Sequence, residues 1–90
     1  LMKLKEKFMV IIYSTTWCPS CVSAKRLLES KDIEYKEINI EEENISREKL
    51  VAIAGAATVP QIIIDKKPIG GFDNLLNLEQ TGELNKMLGI

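Results

Sequence analysis

The chain has 90 residues, 46% hydrophobic and 28% charged, a balance expected of one globular domain over residues 1–90 and not of a disordered segment. Twelve basic residues against thirteen acidic ones leave a net charge of −1, so nucleic acid is not expected as a partner. There is no histidine, which removes Ser-His-Asp and Cys-His catalysis, imidazole metal ligands and histidine pH switching together.

Lys3 to Lys7 alternates charged and aliphatic residues and leads into Phe8 to Tyr13, a continuous β-branched-rich run with the pattern of a strand buried on both faces. This is the longest apolar run, far short of the about 20 residues that cross a bilayer, so no membrane segment is expected. It continues into Ser14-Thr15-Thr16-Trp17-Cys18 without a small-residue cleavage site, so a signal peptide is not expected either and a cytoplasmic location is. After a polar turn, Cys21, Ala24, Leu27 and Leu28 recur at helical spacing behind Pro19, which suits a first helical turn.

Strand character returns over Ile33 to Ile40, followed by Glu41-Glu42-Glu43, read as a solvated acidic step. Asn44 or Ser46 can cap a second helix reaching about Ala54, with Leu50, Val51 and Ile53 on its apolar face. Gln61 to Ile64 reads as a strand, Asp65-Lys66-Lys67 as a hairpin turn, and Pro68-Ile69 as a stub of edge strand. Gly70-Gly71 breaks the chain, Asp73 opens a helical region, and Gly82 through Leu88 closes the domain. The order β-α-β-α-β-β-α implies an α/β architecture whose first two strands are parallel.

Cys18 and Cys21 fall where a strand gives way to a helix. A thiol at a helix N-terminus faces unpaired backbone N–H groups and the positive end of the helix dipole, and both favour thiolate. The second sulfur lies one turn on, toward the core side with Ala24 and Leu28, so Cys21 is expected to be the more buried. A structural disulfide across so small a loop would gain little. A mononuclear zinc site would lack ligands, and inert core cysteines have no need of this junction. Redox exchange is the reading that uses the placement, with Cys18 attacking and Cys21 resolving. Lys25 can add positive potential, although a solvated helix position explains it as well.

Three segments together resemble the glutaredoxin family. Tyr13 through Leu28 (YSTTWCPSCVSAKRLL) is similar to its active-site strand, loop and first helix; Thr58-Val59-Pro60-Gln61-Ile62 to its TVP motif; and Ile69-Gly70-Gly71-Phe72-Asp73-Asn74-Leu75 to its glycine-pair and acidic motif. The resemblance implies a thioredoxin fold, a four-stranded mixed sheet flanked by helices, and thiol–disulfide exchange on protein disulfides and mixed disulfides. It implies glutathione or another low-molecular-weight thiol as reductant, no tightly bound cofactor, no metal, and a monomer. It further implies a cis bond before Pro60, with the Val59 backbone beside Cys18 to pair with a peptide-like substrate. At Gly70-Gly71 the backbone would approach the glutathione γ-glutamyl carboxylate, received by the N–H groups of Phe72 and Asp73. Asp73, as helix N-cap, would meet the ammonium. Asn74, Thr58, Gln61, Trp17, Pro19 and Ser20 complete the expected contacts.

The chain also departs from the family pattern. Thr15 stands where many glutaredoxins have a lysine for the glycine carboxylate, Ser20 where tyrosine is commonest, and Phe72 where a cysteine is frequent. Thr15-Thr16-Trp17 is similar to the loop of mycoredoxins and related redoxins. The alternatives are therefore a redoxin reduced directly by thioredoxin reductase, or a [2Fe–2S] cluster held between two subunits with two glutathiones.

Overall fold

The computed structural model describes residues 10–90; Lys3 to Met9, with the beginning of the expected first strand, lie outside them. Strand β1 (Val10–Ser14) is the centre of the molecule. Its alternate side chains enter two different clusters, as strand geometry requires. Val10 and Ile12 join Ile62, Ile64, Ala24, Leu28, Leu75 and Leu84, whereas Tyr13 joins Ile40, Leu50, Ala54 and Ile63 on the other face, with Ile11 packed against them. Burial on both faces explains the unbroken apolar run.

Helix α1 (Pro19–Ser30) follows, then β2 (Lys36–Asn39), α2 (Arg47–Ala54), β3 (Gln61–Ile64), β4 (Lys67–Gly70), α3 (Phe72–Thr81) and α4 (Glu83–Leu88). The sheet order is β2-β1-β3-β4. β1 and β2 are parallel, with Ser14 opposite Asn39. β3 runs antiparallel to both β1 and β4, with Tyr13 opposite Gln61. Helices α1, α3 and α4 supply one cluster and α2 the other. This four-stranded mixed sheet flanked by helices is the thioredoxin fold that the motifs imply.

Several boundaries differ from the sequence expectation, each for a local reason. The second strand is confined to Lys36–Asn39: Ile33 is buried, but its N–H closes the end of α1 on the Leu28 carbonyl at 3.0 Å. Ser46, not Asn44, caps α2, its Oγ accepting the Lys49 N–H at 3.0 Å. Asn44 takes positive φ in the preceding turn. Asp65 and Lys66 both have positive φ, the two-residue geometry that follows strand twist, and Lys67 already begins β4. Pro68 lies on the sheet edge, where its missing N–H leaves no ladder bond unmade. The last helical region is two helices, divided at Gly82, whose φ of 85° ends α3 and starts α4.

The short α4 belongs to the main core, because Leu84 is fully buried among Ile12, Leu28 and Leu75. Leu84→Ala should cost about 2–5 kcal/mol of unfolding free energy, measured by urea denaturation. Ile90→Ala, at a side chain 63% exposed, should cost under about 0.5 kcal/mol.

Candidate active site

The C-terminal end of β1 launches the loop that ends in Cys18. Cys18 is the N-cap of α1, with extended backbone (φ −155°, ψ 93°) and Pro19 in the first turn. Its Sγ accepts the Cys21 N–H at 3.1 Å, while its carbonyl accepts the Val22 N–H at 3.1 Å. Cys21 is joined to it as a disulfide, with Cα atoms 5.2 Å apart. As expected, Cys21 is the more buried, 2% exposed against 9%. A backbone donor aimed at Sγ, at the start of a helix, stabilises the sulfur whenever it carries negative charge.

The loop is tied down from β2. Thr16 donates its N–H to Glu41 Oε1 at 3.1 Å, and Asn39 Nδ2 donates to Thr16 Oγ1 at 3.3 Å. Asn39 Oδ1 in turn accepts the Glu41 N–H at 2.9 Å. The Thr16 N–H, with its hydroxyl, holds the Glu41 carboxyl below the usual carboxylate range. Glu41 is thus exposed, as the sequence suggests, but it is a clamp and not merely solvated. Within the loop, Thr15 Oγ1 donates to the Trp17 carbonyl at 3.4 Å, and Trp17 is 85% exposed.

Beneath the loop, buried Ser14 donates from Oγ to Glu37 Oε2 at 2.7 Å. The same oxygen holds Lys25 Nζ at 3.0 Å. Burial pushes the Glu37 carboxyl up, but the hydrogen bonds from Ser14 and Lys25 outweigh it and keep the carboxyl low. Lys25, weighed above as a source of positive potential for Cys18, is committed to this carboxylate on β2.

A groove of about 280 Å³ is lined by Ser20, Thr58, Val59, Pro60, Gly71, Phe72, Asp73 and Asn74. The structure thus brings together residues expected from all three motifs. The Val59–Pro60 bond is cis. A Cβ on Gly71 would lie 3.5 Å from the Pro60 carbonyl oxygen, so the glycine turn runs close to this segment. Gly70 has φ 115°, and a Cβ there would collide with the Asn74 side chain, whose Nδ2 donates to the Ile69 carbonyl at 3.0 Å. Asp73 is not the helix cap. Helix α3 begins two residues earlier than such a cap would place it, at Phe72, with Gly71 as N-cap and no side-chain capping bond. The larger turn-forming power of the glycine pair sets the start, and Asp73 falls in the first turn, where a carboxylate still favours the dipole.

Gln61 also differs from expectation. It is 3% exposed, and its Nε2 donates inward to the Thr58 carbonyl at 2.9 Å and to Thr58 Oγ1 at 3.2 Å. It braces the Thr58–Pro60 segment, as does Arg47 Nη1, which donates to the Ala57 carbonyl at 2.7 Å. Trp17, Cys18 and Pro19 line a second groove with Thr16, Val22, Ser23 and Arg26, while Thr15 lines neither. Among the described residues, no three His, Cys, Asp or Glu side chains gather as a metal site, and no helix is long and apolar enough to cross a membrane.

Motif reading alone passes over Asn39, Glu41, Glu37 and Arg47. The signal for the first two is topological: parallel β1 and β2 end side by side, so residues just past each end must meet.

The thioredoxin fold with a cysteine pair at the start of its first helix defines a thiol–disulfide oxidoreductase. Comparison with known proteins narrows the class. The Glutaredoxin family model matches residues 10–69. A glutaredoxin of Pseudomonas aeruginosa is 43% identical over 79 residues, 88% of this chain and 94% of its own length. Glutaredoxin 3 of Escherichia coli K12 is 42% identical over 79 residues, 88% of this chain and 95% of its own. The structure of a buckwheat glutaredoxin–glutathione complex superposes with a TM-score of 0.82 at 27% identity, covering 97% of this chain and 82% of that one. The chain belongs to the glutaredoxin family.

The Glu41 clamp gives a pH-dependent expectation. A carboxyl held low in the folded state adds stability above its unfolded value, about 4.3, and loses it as pH falls through the folded value. Glu41→Ala should therefore be less stable than wild type near pH 7 and lose less stability between about pH 5 and 3. Urea denaturation followed by far-ultraviolet circular dichroism across that range reads this. Glu37, also held low, titrates in the same window, so the acid limb should become shallower without disappearing.

Proposed function

We propose that this protein reduces protein disulfides and glutathione mixed disulfides with Cys18 as nucleophile and Cys21 as resolving thiol, and is itself reduced by glutathione in the cytoplasm. The observation that carries the reading is the Cys21 N–H donated to Cys18 Sγ at the start of α1, with the second sulfur within bonding reach behind it. The Cys18 thiolate attacks one sulfur of the target disulfide. That bond breaks, the other target sulfur leaves as thiolate and takes a proton from solvent, and a mixed disulfide remains. Cys21 then gives up its proton and attacks Cys18 Sγ. The second target thiol is released, and the chain is left with the Cys18–Cys21 disulfide. The target has gained two electrons and two protons. Two glutathiones restore the dithiol and become glutathione disulfide. With no histidine in the sequence, activation comes from backbone donors and the helix start.

The groove beside Ser20 supports glutathione as donor. The Val59 backbone before cis-Pro60 can offer its N–H and C=O to the tripeptide. The first-turn N–H groups of α3, left without a side-chain cap by Gly71, suit the γ-glutamyl carboxylate, and Asp73 suits the ammonium. A structural neighbour, the buckwheat protein, is a complex with glutathione. Thr15 supplies no charge where many relatives carry lysine, so the glycine carboxylate is held more weakly here.

Cys18→Ser should reduce disulfide reductase activity to background. Cys21→Ser should accumulate a mixed disulfide on Cys18, visible by mass spectrometry, and retain deglutathionylation. Oxidised wild type should regain its dithiol with NADPH, glutathione and glutathione reductase. Reduction only by NADPH and thioredoxin reductase would replace glutathione as donor, and full turnover in Cys18→Ser would overturn the assignment of the nucleophile.

A further inference from the structure

The second groove, between the active-site loop and α1, has a volume of about 470 Å³ and is walled by Trp17, Cys18, Pro19, Val22, Ser23 and Arg26. It shares no lining residue with the groove at cis-Pro60, so a small thiol seated there leaves it open. Val22, Ser23 and Arg26 lie three, four and seven residues after Pro19 and form one stripe of the helix with it, while Cys21, Ala24 and Leu28 face the core. Two large apolar side chains flank the reacting sulfur and stay in water, Trp17 at 85% and Val22 at 41% exposure. Exposed apolar surface of this kind, continuous with a reacting atom, is available to a partner's side chain. At the far end of the stripe, Arg26 makes no ion pair among the described residues, whereas Lys25 beside it is held by Glu37.

We propose that this groove docks the polypeptide flanking a target's reacting cysteine, selecting protein disulfides with an apolar residue beside that cysteine and a carboxylate about three residues away. The inference rests on Cys18 being the attacking sulfur. The spacing follows from chain geometry: Pro19 to Arg26 spans about 10 Å of helix, a length that an extended peptide covers in about three residues. The apolar side chain lies against Trp17 and Val22. The carboxylate meets the guanidinium, whose planar fork matches it. A segment with lysine at that place meets like charge and is disfavoured. Small disulfides reach only Cys18.

The test uses disulfide-linked peptide dimers with valine beside the reacting cysteine and aspartate or lysine three residues away, on either side. Each kcat/KM is divided by that for bis(2-hydroxyethyl) disulfide, which is too small to reach Arg26. In wild type the aspartate peptide of at least one orientation should exceed its lysine counterpart about threefold to fivefold, the scale of an exposed ion pair. Arg26→Glu should reverse that order, and Val22→Ser should lower the ratio for both peptides while keeping their order. Equal ratios in wild type, or a preference for aspartate that survives Arg26→Glu, would overturn the docking inference. Wild type that reduces bis(2-hydroxyethyl) disulfide but shows neither preference defeats docking alone. Wild type that reduces no disulfide defeats the assignment of Cys18 itself.

Discussion

Strand β1 is hydrogen-bonded along both edges and covered on both faces, and the placement of every reactive group follows from that enclosure. With Ile12 in one cluster and Tyr13 in the other, a shift of one residue would exchange the two faces, so its register has no alternative. Its end at Ser14 is therefore a fixed point. Parallel β2 finishes beside it, at Asn39, and antiparallel β3 starts beside it, at Gln61. The Cys18 loop, the Asn39–Glu41 corner and the Thr58–Pro60 segment converge because all three are attached to the same end of one strand pairing.

At that end, sulfur chemistry operates without imidazole and with several carboxylates nearby. An unpartnered carboxylate beside Cys18 would oppose a thiolate. Here Glu37 and Glu41 are both occupied. Glu37 accepts from Ser14 and Lys25, and Glu41 accepts from the Thr16 backbone. What faces the Cys18 sulfur is the Cys21 N–H. These two acidic residues thus support the loop and the sheet, and the backbone supplies the donor to Cys18 Sγ.

How far the sequence disclosed this depended on whether a feature was local or assembled. The buried first strand was legible from Val10 to Tyr13 because burial on both faces leaves an unbroken apolar run. The Cys18–Cys21 junction was legible because a strand, a turn and Pro19 follow one another directly. The helix cap lies two residues before Asp73 because a favourable cap residue competes with a glycine pair and Gly71 prevails. Gln61 reads in the sequence as a glutathione contact, since nothing in a strand pattern shows that Thr58 doubles back within reach of its amide. The Glu41 clamp joins residues 25 apart in sequence. Three adjacent glutamates look alike until the ends of β1 and β2 are set side by side.

The groove at cis-Pro60 and the groove at Cys18 have no lining residue in common. Substitutions around cis-Pro60 and the glycine turn leave the Trp17–Arg26 face unaltered, and changes along that helix stripe leave the other groove unaltered. Descent can therefore exchange one surface while preserving the other. On the two proposed assignments, of glutathione to one groove and of target polypeptide to the other, a new reductant need not cost a lineage its clients, nor new clients its reductant.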